Sequence, residues 1–268
     1  MHDGITVFQG VPAMYAKLIE LVADDPKFSA PKLHFTYAGG SPLDPALKAR
    51  AEARLGLTLH NGYGLTESGP TVSQTRQERP RNDCSVGDVI PGVSVRTLDS
   101  KGRHVASGEP GELWVSGPNV MKGYYRDPVA TAKVLVDGWL NTGDIARIDP
   151  DGALFIVGRT KELIIRSGFN VYPVEVEAVL NSHPAVLQSA VVGRSVTDNE
   201  EVVAFVELKP GQQATSVEIV AFAAVRLSPY KRPCEIIIMS ALPAAATGKI
   251  LKKKLKEMAQ NNCTVGKA

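Results

Sequence analysis

At 268 residues, with 44% hydrophobic and 22% charged residues, the chain has the composition of a folded protein with room for one large or two ordinary domains. A formal charge of +2 argues against a nucleic-acid binder, whose basic footprint would be far larger. Three scattered cysteines, Cys84, Cys234 and Cys263, make no CxxC pair, which argues against a disulfide framework or zinc site and fits a reducing compartment. No apolar run reaches membrane-spanning length. Met1-His2-Asp3-Gly4 has neither the basic nor the apolar region of a signal peptide, so a cytoplasmic location is expected.

Ile5 to Phe8 is a short β-branched run, and Val11-Pro12-Ala13-Met14-Tyr15 opens a helix with proline near its start. Leu33 to Ala38 reads as a strand running into Gly39-Gly40-Ser41-Pro42-Leu43, and Asp44 is placed to cap a helix from Pro45 to Leu55. Strand, glycine turn and helix in that order belong to a doubly wound α/β layer, where ligands sit at the carboxyl ends of strands. From about Cys84 the texture changes: runs such as Val93 to Leu98 and Gly111 to Ser116, separated by glycine and proline turns, imply a β-rich subdomain.

A hinge is expected near Gly158-Arg159-Thr160-Lys161, dividing the chain into 1–158 and 159–268. Beyond it, Leu163-Ile164-Ile165, Val186 to Val192, Val202 to Leu208 and Glu235 to Met239 read as strands. Pro173 to Leu180, Ser216 to Val225 (with Ser216 as its cap) and Leu251 to Met258 read as helices. Alternation over about 100 residues implies a separate, small α+β domain.

Three strings concentrate chemistry. Asn61-Gly62-Tyr63-Gly64-Leu65-Thr66-Glu67 holds two glycines, an aromatic, a hydroxyl and a carboxylate; Leu140-Asn141-Thr142-Gly143-Asp144 puts an acid on an expected tight turn; Thr247-Gly248-Lys249 puts a lysine on a loop before a basic helix. Taken singly, each is a common surface turn, and Lys252, Lys253, Lys254 and Lys256 read as a solvated helix face. Together with Gly111-Glu112-Leu113, Gly123-Tyr124 and the long string Gly158 to Glu177, they fall in one order. That order resembles the adenylate-forming superfamily, which includes acyl-CoA synthetases, peptide-synthetase adenylation domains and firefly luciferase.

The resemblance implies an α/β fold: the distal part of the family's large domain, an α/β layer plus a β-rich subdomain, followed by the small mobile α+β domain. It also implies that the family's phosphate loop and first half lie upstream of this chain. The implied reaction joins a carboxylic acid to the α-phosphate of ATP and then to the thiol of coenzyme A, with magnesium on the phosphates. Thr66 matches the phosphate-contacting hydroxyl, Glu67 the magnesium-associated glutamate, Tyr63 the aromatic on adenine, and Gly62 and Gly64 a close backbone approach to ligand. Gly39, Gly40 and Ser41 match the adenine-contacting turn, which also borders the acyl pocket. Asp144 matches the ribose-binding acid, since an ionised carboxylate accepts two donors at once, and Arg159 the arginine supporting the same ribose. Lys249 matches the lysine of the adenylation step, Lys161 the hinge residue, and Ser167, Gly168 and Phe169 the pantetheine tunnel.

These implications make the expected partners a carboxylic acid, ATP, CoA and the missing amino-terminal half, with neither nucleic acid nor a transmembrane segment. A medium- to long-chain fatty acid is expected first, because glycine and serine at the pocket leave room, with an aryl acid or a dicarboxylate as alternatives. Coenzyme A is favoured over a carrier protein because no carrier domain follows the small domain. The contrasting expectations are a carrier-loading adenylation enzyme and a catalytically silent fragment or interaction protein.

Overall fold

The computed structural model describes residues 4–245 and 248–265, with side chains as far as Asn261. Two compact units follow one another, one ending at Thr160 and the other starting at Lys161.

The first unit begins β1 (Val7–Gly10), α1 (Pro12–Leu21), β2 (Phe35–Ala38), α2 (Pro45–Leu55) and β3 (Leu59–Gly64). Strands β1, β2 and β3 pair in parallel through two helical crossovers, as the alternation of strand and helix signals requires. Tyr15, Ile19, Ala38, Leu43, Ala51 and Leu59 bury the helix faces against this layer. Proline at the start of α2 fits because its missing N–H would be unpaired there anyway, and Asp44 caps that helix, accepting from the Leu47 amide at 3.0 Å. The sheet is completed in antiparallel sense by β4 (Thr71–Gln74) and β5 (Asp88–Val89).

The β-rich part follows: β6 (Ser94–Leu98), β7 (Gly111–Ser116), α3 (Pro128–Val134), β8 (Leu135–Val136), β9 (Trp139–Ile148) and β10 (Leu154–Arg159). The order β10-β9-β7-β6 is antiparallel, with β8 pairing β9, and Val72, Val86, Leu113, Val115, Ala146 and Leu154 form its core.

The second unit contains the hairpin β11 (Ile164–Arg166) and β12 (Phe169–Val171), then α4 (Pro173–Asn181), β13 (Val186–Val196), β14 (Asn199–Leu208), α5 (Ser216–Ala224), β15 (Glu235–Met239) and α6 (Lys252–Val265). Strand β14 lies between β13 and β15. Its run Val202-Val203-Ala204-Phe205-Val206 is apolar throughout because both faces are covered. Val202, Ala204 and Val206 pack with Val176 and Leu180 of α4 and Ile219 and Ala223 of α5, whereas Val203 and Phe205 pack with Leu255 and Ala259 of α6.

Two sequence expectations need correction here. The cap of α5 is Thr215 rather than Ser216: its hydroxyl accepts from the Glu218 amide at 3.2 Å, and the Glu218 carboxylate accepts from the Thr215 amide at 2.7 Å. Either hydroxyl could cap, but glutamate three residues on completes a capping box only from Thr215. Asp144 is on no tight turn. It lies within the ten-residue strand β9, beside a register shift against β7 at which Gly143 adopts φ +70°.

Candidate active site

Adjacent parallel strands place the Gly39-Gly40-Ser41 turn and the Asn61–Gly64 string together. Strand β2 runs into Gly39-Gly40-Ser41 and β3 ends in Gly62-Tyr63-Gly64, with Ala38 paired to Asn61. Both therefore reach the carboxyl edge of the sheet, where α/β folds bind ligands. Gly40 turns the chain with φ +79°. Asn61, buried, fixes the end of β3: its side-chain amide donates to the carbonyls of Cys84 and Ser85, both at 3.2 Å, and its amide oxygen accepts from the Gly62 N–H at 3.0 Å.

The glycines have a packing reason that the sequence reading missed. A Cβ on Gly62 would stand 1.8 Å from the Tyr37 hydroxyl and 2.9 Å from the Ser73 carbonyl oxygen, and one on Gly64 would stand 2.0 Å from the Pro70 carbonyl oxygen. The space beside Gly62 is thus filled by Tyr37. Tyr37 also lines an adjoining cavity of about 360 Å³ with Phe35, Gln74, Thr75, Ile90 and Pro91.

Three of the predicted residues converge. The Tyr63 hydroxyl donates to Asp144 Oδ2 at 2.5 Å, and Arg159 Nε pairs with Asp144 Oδ1 at 2.9 Å. Antiparallel pairing sets Arg159, the last residue of β10, directly across from Asp144. Asp144 is buried, with its amide donating to the Thr142 hydroxyl at 3.1 Å. Burial, and then the neighbouring Asp144 charge, push the Tyr63 phenol well above its usual range, so it stays a donor at any physiological pH.

Thr66 and Glu67 occupy a 3-10 turn, Thr66–Ser68, directly after β3. Thr66 is exposed, and Glu67 is half-buried with Oε1 accepting from the Tyr124 hydroxyl at 2.9 Å. Tyr124 therefore belongs to this neighbourhood; burial and the Glu67 carboxylate raise its phenol pKa. The remaining oxygen of Glu67 suits a hard cation brought by phosphates, because magnesium commonly takes one or two carboxylates and keeps its other positions for water and phosphate. Among the described residues no group of three or more His, Cys, Asp or Glu side chains could hold a metal by itself.

The other predicted residues lie in the second unit. Lys161 is exposed, within the 3-10 turn Thr160–Glu162. Ser167 and Gly168, at φ +51° and +80°, form the two-residue turn between β11 and β12. A Cβ on Gly168 would meet nothing within 4 Å, so backbone conformation accounts for this glycine. The Ser167 amide donates to Asn199 Oδ1 at 2.7 Å, and Phe169 is exposed but stacks on Tyr230 with centroids 4.7 Å apart. Lys249 is exposed on a narrow loop closed by the Ala244–Ile250 bridge and by the Ala245 amide donating to the Lys249 carbonyl at 2.8 Å. Thr247 of the same string lies outside the described residues.

A parallel α/β layer whose strand end brings a tyrosine onto a buried acid that also pairs with an arginine has the layout in which α/β proteins hold nucleotides. The profile of the AMP-binding enzyme family matches residues 2–125, and that of the AMP-binding enzyme C-terminal domain matches residues 175–249. A long-chain-fatty-acid–CoA ligase of Yersinia pestis is 41% identical over 225 residues, 84% of this chain and 40% of that protein. Among solved structures, ATP-bound MatB from Rhodopseudomonas palustris matches with TM-score 0.89 at 32% identity, over 96% of this chain and 51% of its own. The anthranilate CoA ligase AuaEII in complex with anthranoyl-AMP matches with TM-score 0.89 at 28% identity, over 97% of this chain and 51% of its own. The chain belongs to the AMP-binding, adenylate-forming enzyme family, and it spans about half the length of these relatives or less. Its fold is the expected one, part of the large domain followed by the small α+β domain. Among the described residues no helix is long and apolar enough to cross a membrane.

Proposed function

We propose that the chain serves an AMP-forming acid–CoA ligase. The observation that carries this reading is the meeting of Tyr63, at the carboxyl end of β3, and Arg159 on the buried Asp144, in a chain matched by both AMP-binding profiles. A carboxylate oxygen of the acid attacks the α-phosphorus of ATP; the acyl–O–P bond forms, the bond to the β-phosphate oxygen breaks, and pyrophosphate leaves. The thiol of CoA, losing its proton, then attacks the acyl carbon, and AMP leaves with the electron pair of the carbon–oxygen bond.

In this reading the Tyr63 ring packs against adenine and Asp144 accepts from the ribose hydroxyls. Gly39, Gly40 and Ser41 border the base, Thr66 meets phosphate, and Glu67 would hold magnesium, which would supply positive charge to the phosphates. Lys249 neutralises the attacking carboxylate and the α-phosphate. The second unit then turns about Lys161 and brings Ser167, Gly168 and Phe169 to the pantetheine arm. A fatty acid is the first substrate to try, because the curated relatives at 38–41% identity include several long-chain-fatty-acid–CoA ligases. An aryl acid is the second, because Tyr37 narrows the space beside Gly62. We place the protein in the cytoplasm, a compartment that supplies both ATP and CoA.

The test is acid-dependent ATP–pyrophosphate exchange with this chain joined to an amino-terminal half bearing the phosphate loop, followed by mass spectrometry of AMP and acyl-CoA over a panel of fatty, aryl and dicarboxylic acids. The chain by itself is expected to turn over little or not at all. Exchange and thioester are expected of the joined protein, with Lys249→Ala depressing exchange far more than thioester formation from a supplied adenylate. Formation of ADP in place of AMP would overturn the reading, and equal loss in both half-reactions would remove the role given to Lys249.

A further inference from the structure

Asp144 is held at both oxygens, by partners on two different strands. Tyr63 reaches Oδ2 from β3, and Arg159 reaches Oδ1 from β10. An ionised carboxylate has about four acceptor positions, so two are taken and about two remain for a diol. A carboxylate bonded at one oxygen can still swing about its terminal torsion; bonded at both, it presents its free positions in one direction. The two holders are unequal. The Arg159 side chain is 52% exposed and reaches Asp144 through a solvated guanidinium, whereas Tyr63 is packed beside the Val72 core with its hydroxyl on the buried acid.

We infer that Tyr63 is a positioning residue as well as an aromatic platform: its hydroxyl aims the Asp144 carboxylate so that both ribose hydroxyls of the nucleotide are read together. The inference rests on the ribose-binding role proposed for Asp144 and adds to it the group that sets selectivity for ribose over deoxyribose. Tyr63→Phe separates the two tasks, since it keeps the ring that would face adenine and removes only the hydroxyl. Thr142 helps from the backbone side. Its hydroxyl accepts from the Asp144 amide and donates to the Leu113 carbonyl at 2.9 Å, fixing the strand but not the carboxylate.

The experiment compares binding of ATP, 2′-deoxy-ATP and 3′-deoxy-ATP by calorimetry for the wild-type sequence, Y63F, D144N and R159Q, each joined to an amino-terminal half bearing the phosphate loop, with a melting curve for each. Y63F is expected to weaken ATP about tenfold, the loss of one hydrogen bond to a charged group, while weakening the deoxynucleotides much less. Discrimination between ATP and its deoxy analogues should therefore collapse toward that of D144N, with R159Q between Y63F and wild type. Equal weakening of all three nucleotides by Y63F, or the same discrimination as wild type, would overturn the positioning role. A purely structural tyrosine would give the first of these results together with a lower melting temperature. The failure of the underlying reading looks different: D144N itself would then leave the discrimination unchanged, or no nucleotide would bind to any variant.

Discussion

Lys252 offers the sharpest test of how the second unit is held together. It is the first residue of α6, three positions after Lys249, and its ammonium pairs with Glu177 at 2.8 Å and Glu162 at 3.0 Å. One cation thus ties the start of the last helix to α4 and to the turn at the head of the unit. The Lys252 side chain is 21% exposed, that of Glu177 14% and that of Glu162 34%. The Glu162 contact is close to a surface pair and contributes about 0.5 kcal/mol. Glu177 is more enclosed. Without the lysine it keeps one strong donor, the Val191 amide at 2.7 Å, so its loss costs about 1.5 kcal/mol rather than the full penalty of an orphaned carboxylate. Lys252→Met keeps the aliphatic stem and should cost about 2 kcal/mol, roughly 10 °C for a unit of this size. Both tryptophans, Trp114 and Trp139, lie in the first unit, so the second must be followed by far-UV circular dichroism or hydrogen exchange in α4 and α6.

The pH dependence supplies a second arm of the same test. Burial pulls the Lys252 pKa down, but Glu177 and Glu162 outweigh it and raise the value above the ordinary 10.5. A raised lysine pKa means stability that is complete below 10.5 and lost as pH climbs through the higher folded value. Wild type should therefore lose stability above about pH 10.5, and K252M should lose less over that range. Lys253→Met, at an exposed position on the same helix turn, is the control. If K252M costs no more than K253M, the charge cluster does not hold the unit, and the reasoning from burial and distance fails.

Three further outcomes are expected. Burial would raise the Asp83 pKa, but Arg81 and the Ser85 amide outweigh it and hold the carboxyl at about 2, below its ordinary 3.8. A depressed acid stabilises above its unfolded value, so urea midpoints should fall as pH drops from 3.8 toward 2, and Asp83→Asn should flatten that fall; identical profiles would refute it. Thr215→Ala should cost about 1 kcal/mol by thermal melting and Ser216→Ala almost nothing, and the reverse order would restore Ser216 as the cap. Gly62→Ala should cost about 1–3 kcal/mol because the new methyl meets the Tyr37 ring and the Ser73 carbonyl. A double-mutant cycle with Tyr37→Ala should return part of that loss, and strict additivity would show that Tyr37 is not what excludes the methyl.

Glycine marks where the sequence was legible and where it misled. In Gly39-Gly40-Ser41 it followed a strand rich in aromatic residues and preceded a proline-started, aspartate-capped helix, and three independent signals agreed on a turn. In Asn61-Gly62-Tyr63-Gly64 and Asn141-Thr142-Gly143-Asp144 the same residue also suggested turns, yet both segments are strands. Glycine weakens a strand on its own account, so single-chain propensity reads it as a break. What overrides propensity here is tertiary: Tyr37 and the Pro70 carbonyl occupy the volume a side chain would need, and the shift between β7 and β9 needs a residue at positive φ. None of these partners is near in sequence to the glycine it constrains, except Pro70, six residues from Gly64. The same gap explains why Tyr63 and Asp144, 81 residues apart, could be named as neighbours of a nucleotide but not of each other. Their contact exists only because the end of β3 in one sheet lies beside the bulged middle of β9 in the other. A bulge that reads as a turn is therefore the feature that turns the buried acid toward the tyrosine.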